Sequence, residues 1–246
     1  MRVDAATRRA NAEAAKAIKR AAAEAALDYV KPGMVLGLGS GSTAEIFVQL
    51  LGARVAKGLD VTGIPTSENT ANAARMAGVP LILPEQTGRV DLAIDGTDEV
   101  DPQFRLIKGG GGCLLREKIV ASAADMMIVI ADKSKKVAKL GAFPLPVEVD
   151  RFGLPFTAEK VVSSLQRSGC HGFGVTLRTM RNGQVPFVTD GGNYILDCQC
   201  KLIPDPELTA FVLSGLPGVV EHGLFLGLAH KVILASADGV ETLNRA

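Results

Sequence analysis

Four short stretches of this sequence concentrate residue types that bind anions or move protons. The first, Gly37-Leu38-Gly39-Ser40-Gly41-Ser42-Thr43, follows an apolar run and precedes a helical one. Glycines let the backbone turn tightly and leave its N–H groups uncovered, and a helix N-terminus adds partial positive charge. Ser40, Ser42 and Thr43 add hydroxyl donors, more than a plain strand–helix turn with one Ser/Thr cap requires. A phosphate suits such a loop. A dinucleotide suits it less, because Ser42 stands where the third fingerprint glycine belongs, and the second strand runs into Pro65-Thr66-Ser67 where a ribose-binding acid is wanted. The chain also lacks the Gly-Lys-Ser/Thr of a nucleoside triphosphate loop.

The second stretch is Asp95-Gly96-Thr97-Asp98-Glu99-Val100-Asp101, which ends the apolar run Leu92-Ala93-Ile94. Ligands of open parallel sheets sit beyond the carboxyl ends of the strands, and Asp95 is expected at that rim. Turn chemistry competes for Asp98 and Asp101, whose side chains can hold nearby backbone N–H groups. The calcium-loop pattern fails here for want of its central glycine and terminal glutamate.

Third comes Lys108-Gly109-Gly110-Gly111-Gly112, followed by Cys113-Leu114-Leu115-Arg116-Glu117-Lys118. Four glycines are costly in conformational entropy, and a mere connector does not need them. They permit close approach to a ligand and present another helix N-terminus. Successive helix residues point about 100° apart, so Glu117 can face inward while Arg116 and Lys118 face water. Taken alone, Glu117 also reads as an ordinary solvated helix acid. The fourth stretch is Asp132-Lys133-Ser134-Lys135-Lys136, either a phosphate clamp or a solvated charge run. His171, His222 and His230 show no ligand spacing, and no metal site is expected.

Short apolar strands alternating with helical segments of 10–15 residues must position these groups. Ala5–Tyr29 reads as a long Ala-rich helix ended by Lys31-Pro32-Gly33. Strands are expected at 34–38, 61–64, 80–83, 90–94 and 126–131, with helices at 44–51, 68–77 and 114–124. That rhythm predicts an α/β fold: a Rossmann-like, mostly parallel sheet with helices on both faces. After about residue 143 the order becomes βαββαβ, that of a smaller ferredoxin-like α/β domain, with strands at 145–149, 174–180, 186–200 and 219–224 and helices at 157–167 and 206–216. The run Val232–Ala235 rejoins the first sheet. Residues 1–142 with 226–246 are assigned to the Rossmann-like domain and residues 143–225 to the small one.

Composition bounds the function. The 246 residues carry 27 Lys+Arg against 26 Asp+Glu, a net charge of +1 that speaks against a nucleic-acid partner. No apolar run approaches the roughly 18 residues of a membrane span, so no membrane partner is expected. The four cysteines read as reduced thiols, and Cys113 reads as packing. The N-terminus carries Asp4, Glu13 and Glu24 and no apolar core, unlike a secretory leader, which points to the cytoplasm.

Together these stretches resemble type A ribose-5-phosphate isomerases. The matching segments are GSGST, DGTDEVD, KGGGG-CLLREK, ADKSK, FPLPVEV and TDGGNYILD, in family order from about Ala26 to Leu234. Ser40 stands where Thr is common, and the glycine run is one longer than usual. The resemblance implies interconversion of ribose 5-phosphate and ribulose 5-phosphate in the non-oxidative pentose phosphate pathway, without a cofactor, by a homodimer or homotetramer, with the small domain in an assembly role. It places Glu117 as general base, Lys108 as the essential lysine and Asp95 and Asp98 on the acidic substrate loop that also holds Gly96 and Thr97. Ser40, Gly41, Ser42, Thr43, Gly109, Gly110, Gly111 and Lys135 fall on the remaining ligand contacts. One carboxylate on one face can take the C2 proton and return it at C1. Asp95 is the first choice for opening the sugar ring, with Asp98 holding hydroxyls. Lys19 reads as solvated on its Ala-rich helix. A sugar-phosphate-sensing module has no use for Glu117, and a nicotinamide enzyme lacks its ribose acid.

Overall fold

Apolar runs and breakers set the element order in the computed structural model, which describes residues 5–171, 174–180 and 183–245. The elements to the end of the first acidic and glycine-rich loops are α1 (Ala5–Leu27), β1 (Met34–Leu38), α2 (Ser42–Val55), β2 (Val61–Pro65), α3 (Glu68–Met76), β3 (Leu92–Asp95), β4 (Glu99–Val100), β5 (Leu106–Ile107) and α4 (Leu114–Ala123). Then follow β6 (Met127–Asp132), β7 (Leu145–Val149), α5 (Leu154–Arg167), β8 (Val175–Leu177), β9 (Tyr194–Cys198), α6 (Pro206–Ser214), β10 (Val219–His222), β11 (Leu224–Phe225), β12 (Lys231–Ser236) and β13 (Gly239–Asn244). The chain divides into two compact units. One holds the described residues up to Gly96, Ala123–Ser134 and those from His230 onward; the other holds Thr97–Ser122 and Lys135–Ala229.

In the first unit a six-stranded sheet runs in the order β13-β12-β6-β3-β1-β2. The strands β2, β1, β3, β6 and β12 are parallel, and β13 closes the edge antiparallel to β12. This is the mostly parallel sheet that alternating strands and helices demand. Leu36, Leu38, Ile94, Ile128, Ile130 and Ile233 bury their side chains with Phe47 and Leu51 of α2 and Ala22, Ala23 and Ala26 of α1. Alanines on α1 let that helix lie close to α2. Leu81 makes a single bridge to Gly63, where a strand over 80–83 was expected; Pro80 and Pro84 bracket it and remove donors from any longer ladder.

The second unit holds a four-stranded antiparallel sheet, β10-β7-β9-β8, with α5 and α6 as its helices. In βαββαβ order its strands stand fourth, first, third, second, the ferredoxin-like arrangement. A separate small sheet, β11-β5-β4, belongs to the same unit. The run 219–224, read as one strand, is two. Gly223 breaks it where a Cβ would lie 2.3 Å from the Lys108 carbonyl, and β11 leaves to pair with β5. That pairing keeps residues 97–122 with the second unit, although their sequence continues the first rhythm.

Candidate active site

Within the first unit the carboxyl ends of β1 and β3 place the first stretch beside the start of the second, with the end of β2 next to them. Gly39, at the end of β1, lies so close to Asp95 that a Cβ there would sit 2.2 Å from the aspartate Cγ. Asp95 is 3% exposed, and its Oδ1 accepts the Gly96 N–H at 2.7 Å and the Ser40 N–H at 3.2 Å. The residue capping α2 is Gly41 at φ 95°, and no side chain caps that helix. Ser42 and Gly41 are exposed and Thr43 is half-buried at the helix start.

Ser40 turns inward instead. Its Oγ lies 2.8 Å from Thr66 Oγ1, 2.9 Å from Ser67 Oγ and 3.1 Å from Thr70 Oγ1. Thr66 and Thr70 donate in turn to the carbonyls of Leu38 and Gly39, each at 3.0 Å. This cluster fixes the turn after β1. The sequence named Thr66 and Ser67 only as the place where a ribose acid was missing. Lys19, expected in solvent, donates to Ser42 Oγ at 2.9 Å.

In the second unit a Cβ would crowd a neighbouring side chain at three of the four positions of the glycine run. A Cβ on Gly109 would meet Leu114 at 2.8 Å, on Gly110 Asp98 Oδ1 at 2.7 Å, and on Gly112 Phe187 Cζ at 2.4 Å. Gly109 and Gly112 also have φ of 102° and 82°, which L side chains avoid. Gly111 faces open space. Past this turn α4 begins, and Glu117 in its first turn is 5% exposed. Its Oε1 lies 3.3 Å from Lys108 Nζ, and Lys108 is 3% exposed. A buried carboxylate held against a buried ammonium is the central feature of this unit.

Lys118 does not face water as helix periodicity suggested. Its Nζ lies 2.7 Å from Glu221 Oε1 and donates to the His222 carbonyl at 2.6 Å. Lys118 and Lys108 stand 4.9 and 5.5 Å from the centroid of the same Phe225 ring. Burial lowers the Lys118 pKa against the opposing pull of Glu221. Burial first, and Lys118 second, push His222 down to about 4, so this imidazole is neutral at physiological pH and its 3.8 Å approach to Glu221 is no ion pair.

The acidic loop sorts itself by partner. Glu99 accepts the N–H groups of Gly141 and Phe143 at 2.7 and 2.6 Å. Asp101 takes those of Gln103 and Arg105 at 2.9 and 3.0 Å, with the Arg105 guanidinium at 2.6 Å. Both are structural, which settles Asp101 as a turn residue. Asp98 accepts the Gly110 N–H at 2.8 Å and is tied to the glycine turn. The Thr97 hydroxyl lies 2.6 Å from the Glu99 carbonyl. Lys135 is half-buried at the end of a short turn, and among the described residues it forms no ion pair.

This α/β protein sets a sheltered carboxylate beside a lysine and a glycine turn. Residues 62–239 match the family Ribose 5-phosphate isomerase A (phosphoriboisomerase A). A ribose-5-phosphate isomerase A of Maricaulis maris is 58% identical over 221 residues, covering 90% of this chain and 94% of that protein. The solved ribose 5-phosphate isomerase A of Methanocaldococcus jannaschii superposes with a TM-score of 0.84 at 39% identity, over 93% of this chain and 99% of that one. A D-ribose-5-phosphate isomerase solved in complex with phospho-erythronic acid gives 0.86 at 36% identity, over 94% and 99%. The chain belongs to the ribose 5-phosphate isomerase A family.

Proposed function

We propose that Glu117 is the single base of an aldose–ketose isomerisation between ribose 5-phosphate and ribulose 5-phosphate, the reaction of the family to which this chain belongs. The observation that carries the assignment is the buried Lys108–Glu117 pair at 3.3 Å on the edge of the glycine turn. Glu117 takes the proton from C2 and returns it to C1, while the hydroxyl proton of O2 passes to O1. Charge that builds on the oxygens of the enediolate meets the Lys108 ammonium and glycine-turn N–H groups, an arrangement that favours the transition state over the neutral sugar.

Asp95 serves the ring-opening step, moving a proton between the anomeric hydroxyl and the ring oxygen. Asp98, anchored by Gly110, keeps acceptor capacity for substrate hydroxyls. Ser42, Thr43 and Lys135 take the phosphate, with Gly41 giving the helix start an uncovered backbone. The reaction runs in the cytoplasm without metal or cofactor, in a homodimer or homotetramer. Phe152, Phe156 and Phe211, 92, 75 and 77% exposed on the second unit, support an assembly role for the small domain.

The test is turnover of Glu117→Gln on ribose 5-phosphate in EDTA, followed by ketose absorbance. The variant should lose about 10²–10⁴ in kcat with sugar-phosphate binding retained. Wild-type turnover would remove Glu117 from the reaction.

A further inference from the structure

The glycine turn is gripped by a second group of residues, which neither the motifs nor the proposed mechanism uses. Arg178 stands just beyond β8, its backbone pinned by Arg178 N–H to the Ile195 carbonyl at 2.8 Å and by the Phe187 N–H on its own carbonyl at 2.9 Å. Its guanidinium forms a two-pronged pair with Asp197 of β9, at 2.9 Å from Nε and 2.5 Å from Nη2. The remaining Nη1 donates to the carbonyls of Gly109 at 2.8 Å and Gly110 at 3.3 Å. Phe187, the ring that abuts Gly112, lies 5.9 Å from the same guanidinium. Arg178, braced by Asp197, and Phe187 of the same hairpin thus line the turn from Gly109 to Gly112.

In a trans peptide the N–H points opposite to the C=O. With the Gly109 carbonyl on Arg178, the Gly110 N–H must point away, and it is found on Asp98 at 2.8 Å. By the same rule the Gly110 carbonyl turns the Gly111 N–H away from the guanidinium. Space around Gly111 is open, and its N–H has no acceptor among the described residues. Glycine peptides flip easily because both signs of φ are accessible. A flip at Gly110–Gly111 would set a carbonyl where the donor stands. Arginine has no acceptor and opposes that flip, since a flipped peptide would bring N–H against N–H.

We propose that Arg178 is a positioning residue for this reaction, locking the glycine peptides so that the Gly111 N–H faces the developing oxyanion. The proposal rests on the reading of Glu117 and the glycine turn given above. Arg178 touches no reacting atom; it acts through the carbonyls it holds.

Arg178→Ala and Arg178→Lys are assayed in the full chain on ribose 5-phosphate, with and without methylguanidinium, beside Glu117→Gln. Removing an oxyanion donor costs about 10²–10³ in rate, and misaiming one should lower kcat by about 10–100-fold in Arg178→Ala with KM within about 3-fold. Methylguanidinium restores several-fold of the lost kcat, a response that lost packing would not show. Lysine, which cannot keep both the carboxylate fork and the carbonyls, falls between. The proposal fails if kcat stays within about twofold of wild type, if the loss falls on KM alone, or if the folded variant is not rescued. Should Arg178→Ala not fold, the kcat-against-KM split of Arg178→Lys decides alone. Activity in Glu117→Gln would sink the reading of the base, whereas an inactive Glu117→Gln beside a fully active Arg178→Ala would sink only this proposal.

Discussion

Replacing Lys108 by Met removes a positive charge 3.3 Å from a carboxylate that is almost wholly shielded from water. At an effective dielectric of about 20, the attraction lost is roughly 5 kcal/mol. The carboxyl group has an escape: starting from the ordinary glutamate value of about 4.3, neutralising it at pH 7 costs about 3.7 kcal/mol. The smaller figure sets the ceiling, so Lys108→Met should lose up to about 3.7 kcal/mol at pH 7 and carry a protonated Glu117 unable to accept a proton. The sign with pH follows. In the variant the folded state binds more protons than the unfolded one, so its stability falls as pH rises above about 4.3, by up to ~1.4 kcal/mol per unit. Urea titrations at pH 5.5 and 7.5 should therefore show a deficit larger by as much as ~2.7 kcal/mol at the higher pH. Adding Glu117→Gln should return most of the loss, because two uncharged groups leave no buried charge to compensate. A pH-independent deficit, or a double variant whose losses simply add, would refute this reasoning.

Gly112→Ala should lose about 2–4 kcal/mol, from a left-handed φ of 82° and a Cβ placed 2.4 Å from Phe187. Trimming Phe187 to Ala in that background should relieve the clash but not the backbone strain. Denaturation midpoints decide, and a loss below about 0.5 kcal/mol would contradict the geometry. His222, held down at about 4, binds a proton less readily folded than unfolded, so its contribution is complete above about 6.5 and is lost as pH falls towards 4. Up to ~3 kcal/mol of acid destabilisation in that window should vanish in His222→Gln. An unchanged acid limb would show that this imidazole is not the group titrating.

What the sequence made legible is what local pattern encodes. Apolar runs such as Met127–Asp132 and Lys231–Ser236 have few ways to be buried except in a parallel sheet, and both lie there. By contrast β13, with nearly every side chain exposed, carries no apolar signal, because an edge strand has one partner and little to bury. The two-residue strands β4, β5 and β11 are below any periodicity. Arg178 is the clearest case at the glycine turn. It lies 69 residues from the Gly109 carbonyl it holds, and nothing in its neighbourhood distinguishes it from a surface arginine.

The glycine turn itself was legible for a different reason than entropy alone suggested. Leu114, Asp98 and Phe187 stand where a Cβ on Gly109, Gly110 or Gly112 would go, and Gly109 and Gly112 hold positive φ. The acids of the second unit differ by partner. Glu99 and Asp101 are held by backbone N–H groups, and Glu148 by Thr189 and Asn193 at 2.8 and 2.9 Å. Those donors tie each of these carboxylates to the framework of the unit. Glu117 faces an ammonium on a flexible four-carbon stem, which in the proposed reaction can move towards a substrate oxygen as negative charge passes to the sugar. In the proposed reaction, proton abstraction makes the carboxyl neutral as the enediolate becomes charged, so Lys108 can change anions. A mobile cation can follow that transfer, which is the argument for Lys108 within the proposed mechanism.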